Sequence, residues 1–119
     1  MIPYHELYEV IKSSDFIIIP FNPDNKLDIL YKTILVTGSA QLVYGFLKPV
    51  LINREFADFY HFNEQNSLVY NNQNFYEIMK KAILLSNRDY IKLITNLHSV
   101  EKKIYETSIN NIKKLLNKF

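Results

Sequence analysis

Two short apolar runs, each next to a proline, most constrain what this chain can fold into. The run FIIIP covers residues 16–20, and PVLIN covers residues 49–53. Uninterrupted runs of apolar, mostly β-branched residues are typical of strands buried on both faces, as in parallel sheets that are covered by helices. The sequence therefore predicts two strands of a parallel sheet with helices on both faces.

Periodicity predicts most of the remaining elements. Apolar residues at helical spacing predict helices over residues 4–14 and 38–47, and SLVYN at residues 67–71 predicts a third strand. The segment 21–37 is open: it fits a helix or irregular structure, with TILV at residues 33–36 as an alternative strand.

The last part of the chain is predicted to be helical. Asn74 is the expected N-cap of an amphipathic helix whose apolar stripe consists of Phe75, Ile78, Met79, Ala82 and Ile83. Two further helices follow from Arg88 onward, with Ser108 as the expected N-cap of the second one.

These elements together predict an α/β fold. We expect a partial Rossmann-like, three-layer domain with a short parallel sheet of three or four strands, flanking helices and a helical C-terminus. A chain of 119 residues, of which 48% are hydrophobic, suits one domain over residues 1–119.

Composition argues against several kinds of partner and site. The net charge of +2 comes from scattered lysines, so no nucleic-acid interface is predicted. The absence of cysteine removes disulfides and thiolate ligands and favours a cytoplasmic location. The longest apolar run is far shorter than the roughly 20 residues of a membrane span, so none is expected. The three histidines, His5, His61 and His98, lie in separate elements, so no metal site is predicted.

Both glycines of the chain, Gly38 and Gly45, fall within eight positions of each other. The stretch ILVTGSA looks like the glycine-rich turn of a dinucleotide-dependent dehydrogenase, but that turn needs further glycines where Leu42 and Tyr44 stand. A phosphate-binding P-loop is excluded because no Gly-Lys-Ser/Thr follows.

Three segments in order resemble the C-terminal, donor-binding domain of GT-B glycosyltransferases of the family 4-like, or group 1-like, type. The segments are HELYEVIKSSDFIIIPF (5–21), TGSAQLVYGFLKPVLIN (37–53) and EQNSLVYNNQNFYEIMKKAILL (64–85). The resemblance implies hexosyl transfer from a UDP- or GDP-type nucleotide-sugar to a glycan or lipid-linked acceptor, as in polysaccharide biosynthesis, with no tightly bound cofactor.

The resemblance also implies where the donor binds. In such enzymes the diphosphate lies at the N-terminus of the helix in the second segment, where free backbone N–H groups and the helix dipole favour anions. Here that position holds Gly38, with the Thr37 and Ser39 hydroxyls as further donors. The alternative is that Gly38 only begins the helix and Ser39 only caps it.

Three further residues are candidates for the same site. Arg54 and Glu55 directly follow the PVLIN strand, and ligands of open α/β sheets bind beyond the carboxyl ends of strands. Glu64 is a candidate for the ribose hydroxyls, with a solvated loop carboxylate as its alternative.

The chain departs from the family pattern at the positions expected to carry catalysis. The family's two glutamates fall on Ile34 and Leu42, which accept no hydrogen bonds through their side chains. The glycine that usually precedes Lys-Pro is replaced by Leu47, and Gly45, two residues earlier, is expected to let its helix pack closely. No catalytic residue is therefore assigned.

Two functions remain open. One is a donor-binding domain that is inactive alone and works with an N-terminal acceptor-binding domain or a partner subunit, because GT-B active sites lie between two domains. The other is a non-catalytic α/β interaction module that has lost the donor site.

Overall fold

The computed structural model describes residues 3–32 and 38–118, and it shows an α/β fold. The helices are α1 (Tyr4–Ser13), α2 (Lys26–Ile29), α3 (Gly38–Phe46), α4 (Arg54–Ala57), α5 (Phe75–Ile83) and α6 (Asn87–Leu116). The strands are β1 (Ile17–Ile19), β2 (Val50–Asn53) and β3 (Leu68–Tyr70), and 3₁₀ turns cover Leu30–Lys32 and Asp58–Tyr60. The TILV alternative strand and Thr37 lie outside the described residues.

The three strands form one parallel sheet in the order β1-β2-β3. Ile17 pairs with Val50, and Asn53 pairs with Tyr70, so all three carboxyl ends lie at the same edge. All four residues of β2 are buried, as the apolar run predicts. The parallel sheet and its three strands are therefore confirmed.

Helices cover the sheet on two faces, and successive side chains of each strand point to opposite faces. On one face Ile52 and Val69 pack with Val43 of α3 and Phe56 of α4. On the other face a second cluster joins β2 and β3 to α5 and to the start of α6, through Leu51, Leu68, Tyr70, Leu93 and the partly buried Ile78 and Met79.

The predicted burial of β1 on both faces is wrong. The side chain of Ile18 is 46% exposed, whereas its neighbour Ile19 is buried. Among the described strands β1 is at the edge of the sheet and pairs only with β2, and the second cluster of apolar residues is built on β2 and β3 rather than over β1.

The predicted break at Ser108 is also wrong, because α6 is one helix of 30 residues. Ser86 caps it, its Oγ accepting a hydrogen bond from the Asp89 N–H at 3.2 Å. No glycine or proline lies near Ser108, and a mid-helix serine costs only a few tenths of a kcal/mol. No helix of the described residues has both the length and the apolar composition that crossing a membrane requires.

Three details of α5 and α3 differ from expectation. Asn74 stands before α5, but its Oδ1 accepts a hydrogen bond from the Asn71 N–H at 2.8 Å instead of capping the helix. Ile83 is exposed, so the predicted stripe of α5 is only partly covered. The close packing expected at Gly45 is wrong, because a Cβ built there meets no other atom within 4 Å.

Candidate functional site

An open cleft of about 370 Å³ lies beyond the carboxyl ends of all three strands. Ligands of parallel α/β sheets bind at this edge, because the loops that follow the strands converge there. The cleft is lined by Pro20, Phe21, Asn22, Pro23, Asn53, Tyr70, Asn71, Asn72 and Phe75. This edge is therefore the candidate site.

Asn53, the last residue of β2, connects the cleft to the fold. Its side chain is buried, and Oδ1 accepts a hydrogen bond from the Glu55 N–H at 2.9 Å, which caps α4. Its Nδ2 donates to Oδ1 of Asn72, beyond β3, at 3.0 Å. One buried amide thus fixes both the start of α4 and the loop after the neighbouring strand.

Asparagines also hold the loops that follow the two outer strands. After β1, the Asn22 side-chain oxygen accepts from the Asp24 N–H at 2.9 Å, and the Asn22 N–H donates to the Asp28 carboxylate at 2.9 Å. After β3, Asn71 Oδ1 accepts from the N–H groups of Gln73 and Asn74 at 2.8 and 3.0 Å. Such local turns order the cleft's rim without a ligand.

Aromatic rings form the apolar part of the cleft. The rings of Tyr70 and Phe75 meet edge to face with centroids 4.6 Å apart. The Phe21 ring stacks on Tyr31 at 4.9 Å. Rings beside amides are the lining that suits a sugar or a base, which each present an apolar face and polar edges.

The cleft offers hydrogen bonds rather than charge. None of the described residues that line it is a carboxylate, lysine, arginine or histidine. Its one titratable group is Tyr70, whose pKa is raised above its ordinary value by burial, so this phenol is neutral near pH 7. The cleft can therefore orient a polar ligand, but its lining supplies no general base at neutral pH.

Gly38 and Ser39 begin α3. Residues 47–49 connect the end of this helix to the start of β2. In a crossover between parallel strands the helix returns opposite to the strands, so we infer that α3 begins on the side of their carboxyl ends. Gly38 is exposed, and among the described residues outside its own helical turn a Cβ built there meets no atom within 4 Å.

Arg54 and Glu64 are brought together as an ion pair. Both side chains are largely exposed. Glu64 lies in the turn before β3, on the amino side of that strand, where it borders a different pocket with Lys81 and Lys92. Of the five described candidates, Gly38, Ser39, Arg54, Glu55 and Glu64, none lines the cleft at the strand ends.

Sequence reasoning missed the asparagines that do line the cleft. Each strand is followed or ended by one: FNP after β1, VLIN at β2 and VYNN at β3. The repeated asparagine after an apolar run was the available signal. Among the described residues, no three acidic or histidine side chains come together as metal ligands.

Comparison with known proteins gives no independent support for this candidate site. Comparison with protein families, with curated proteins and with solved structures finds no match to this chain. The resemblance to glycosyltransferases therefore rests on the residues of this chain alone.

Proposed function

We propose that this chain is the donor-binding domain of a GT-B-type glycosyltransferase, with a Rossmann-like arrangement of its sheet, and that it binds a UDP- or GDP-type nucleotide-sugar. The observation that carries the proposal is the cleft at the strand ends, which amides from three loops line beside aromatic rings. The asparagine side chains suit sugar hydroxyls, because an amide both donates and accepts hydrogen bonds.

The turn before β2 supports the resemblance. Leu47 has a φ of 52°, in the left-handed region that favours glycine. In the family a glycine stands at this position, directly before Lys-Pro. The backbone therefore has the shape that explains the family's glycine, although leucine occupies the position here.

The diphosphate is proposed to bind at the start of α3. This helix has nine residues, and the dipole of a helix favours an anion at its start. With no cationic side chain among the described residues of the cleft, the helix dipole is the proposed source of favourable charge.

Transfer is proposed to need residues from another domain or subunit. None of the described residues that line the cleft is a carboxylate or a histidine, and Leu42 of α3 stands where the family has a glutamate. The proposed role of this chain is to bind and orient the donor. An acceptor-binding domain or partner subunit would supply the reacting hydroxyl and its base.

The test is a thermal-shift titration with UDP, GDP and their hexose conjugates, with ADP as the comparison nucleotide. A ligand at 100 times its Kd stabilises a protein by about 2.7 kcal/mol, roughly a 10 °C rise in Tm here. Gly38→Ala is expected to reduce that rise, because a methyl group at this position meets none of the described residues outside its own helical turn and would lie against the proposed ligand. Gly45→Ala, in the same helix and equally open, is the matched control and is expected to keep it.

Asn72→Ala tests the cleft separately from the helix start. The substitution is expected to weaken binding of the nucleotide-sugar more than binding of the free nucleotide, because the proposal assigns this amide to the sugar hydroxyls. If no UDP or GDP compound shifts the Tm at millimolar concentration, or if both glycine variants lower the shift equally, the proposed donor site is refuted.

The second candidate is a non-catalytic interaction module with the same fold. Two observations favour an interaction module. The described lining of the cleft carries no charged side chain that would bind a phosphate, and Leu42 cannot act as a catalytic acid or base. On this alternative, the same titration leaves the Tm unchanged with every nucleotide.

A further inference from the structure

The C-terminal half of α6 extends past the body of the protein. In its first half, Leu93 and Leu97 are buried in the two apolar clusters that pack on the sheet. From residue 102 to residue 108 every side chain is exposed, and nearly all remain so to residue 118. A helix of 30 residues is about 45 Å long. Its residues 100–108 border pockets shared with α3 and with the loop at residues 61–63, and every residue from 110 to 118 is exposed.

This exposed half is amphipathic. Its apolar residues recur at spacings of three and four and occupy an arc of about 140° at 100° per residue. We call this arc the apolar face of α6; it consists of Ile104, Tyr105, Ile109, Ile112, Leu115 and Leu116. Ile112 is 53% exposed and Leu116 is 66% exposed, which is unusual for large apolar side chains so close together.

Lysines border this face on both sides. At 100° per residue, Lys102 and Lys113 lie just beyond one border of the arc, and Lys118 lies beyond the other. Residues 107–118 carry three lysines and no acidic residue. The opposite side of the helix is polar, with Asn110 and Asn117 at its centre.

We propose that the apolar face of α6 binds to the surface of an anionic lipid membrane. A helix with a wide apolar arc, a lysine-rich polar side and low overall hydrophobicity lies in the membrane interface, and its lysines contact lipid phosphates. Lysine stems also extend along apolar surface while the ammonium groups stay in water.

The charge pattern favours lipid over a second copy of this chain. Residues 102–118 carry five lysines and one acidic residue, Glu106, so pairing this segment of two copies would bring many lysines together with only one carboxylate from each copy. The arc is also wider than the narrow seam of a two-stranded coiled coil. This inference does not depend on the proposed donor site.

The test is co-sedimentation of the full chain with vesicles of phosphatidylcholine alone and with vesicles in which about a third of the lipid is phosphatidylglycerol. We expect binding to the anionic vesicles that weakens as salt is raised. Removing two lysines, Lys113→Gln with Lys118→Gln, should weaken binding by about 30-fold, at about fivefold per charge. The control pair, Lys80→Gln with Lys81→Gln on α5, should leave it unchanged.

The apolar contribution has its own matched pair. Ile112→Asn should abolish most of the binding, whereas Ile91→Asn should not, although Ile91 is an equally exposed isoleucine of the same helix. Circular dichroism of both variants verifies that α6 stays helical. Equal binding to neutral and anionic vesicles, equal loss in both isoleucine variants, or dimerisation that depends on Ile112 without any lipid binding would overturn the proposal.

Discussion

The amide pair formed by Asn53 and Asn72 gives a quantitative test of how the cleft is held. Asn53→Ala is expected to lower the free energy of unfolding by about 2 kcal/mol, from two losses. The N–H of Glu55 loses its cap, at about 1 kcal/mol, and the bond to Asn72 is lost, at about 1 kcal/mol.

Asn72→Ala removes only the second bond. It is expected to cost about 1 kcal/mol, because Nδ2 of the buried Asn53 is left without its partner. In the double variant no amide is left unpaired, so the total loss stays near 2 kcal/mol. The two single losses should therefore exceed the double loss by about 1 kcal/mol.

The assay is urea unfolding followed by tyrosine fluorescence, since the chain has nine tyrosines and no tryptophan. Gln73→Ala, at an exposed neighbouring position, is the control and should change the midpoint little. If the single losses add up to the double loss within about 0.3 kcal/mol, the two amides are not coupled. The account of a cleft held by Asn53 would then be refuted.

Three further predictions concern other parts of the fold. Gly45→Ala should raise the free energy of unfolding by about 0.5–1 kcal/mol, because alanine favours the helix and its Cβ meets nothing within 4 Å; a lower urea midpoint would contradict this. Burial raises the pKa of the Tyr44 hydroxyl in the folded protein. The contribution of the neutral hydroxyl to the free energy of unfolding is therefore complete below about pH 10, the pKa in the unfolded chain, and it is lost as pH rises above that value. Urea midpoints measured from about pH 9 to 11 should fall less in Tyr44→Phe than in the wild type. Ser108→Pro should reduce the helical circular dichroism signal but change the free energy of unfolding by less than about 0.5 kcal/mol, since the helix beyond it is exposed; a large loss of stability would show that this half packs on the body.

The strands could be predicted because their apolar runs have only one environment that suits them. Four consecutive buried residues, as in VLIN, require that both faces of the strand be covered. A central strand of a parallel sheet is covered on both faces by helices. The partial exposure of Ile18 could not be predicted in the same way. It depends on the position of β1 at the edge of the sheet, which is set by strand order rather than by the composition of the run.

The candidate site was harder to predict than the fold for a related reason. Side chains that line a cleft are brought together by the sheet's register, so Asn53 and Asn72 meet although 19 residues separate them. Residue type was also a poor guide to the site. Charged side chains such as Arg54 and Glu64 are the usual candidates for ligand binding, but here they form an ion pair with each other. Neutral amides at strand ends carry a weaker signal, but their repetition after each strand is readable.

The exposed side of β1 has a consequence for how copies of this protein behave at high concentration. Among the described strands β1 is at the edge of the sheet, and an edge strand offers unpaired N–H and C=O groups to another chain. The partly exposed Ile18 adds an apolar contact. However, β1 has only three residues, about 10 Å, and Pro20 follows at once. Proline has no N–H to donate, so a foreign strand would gain too few hydrogen bonds to remain attached. The shortness of β1 thus protects the protein against edge-to-edge aggregation.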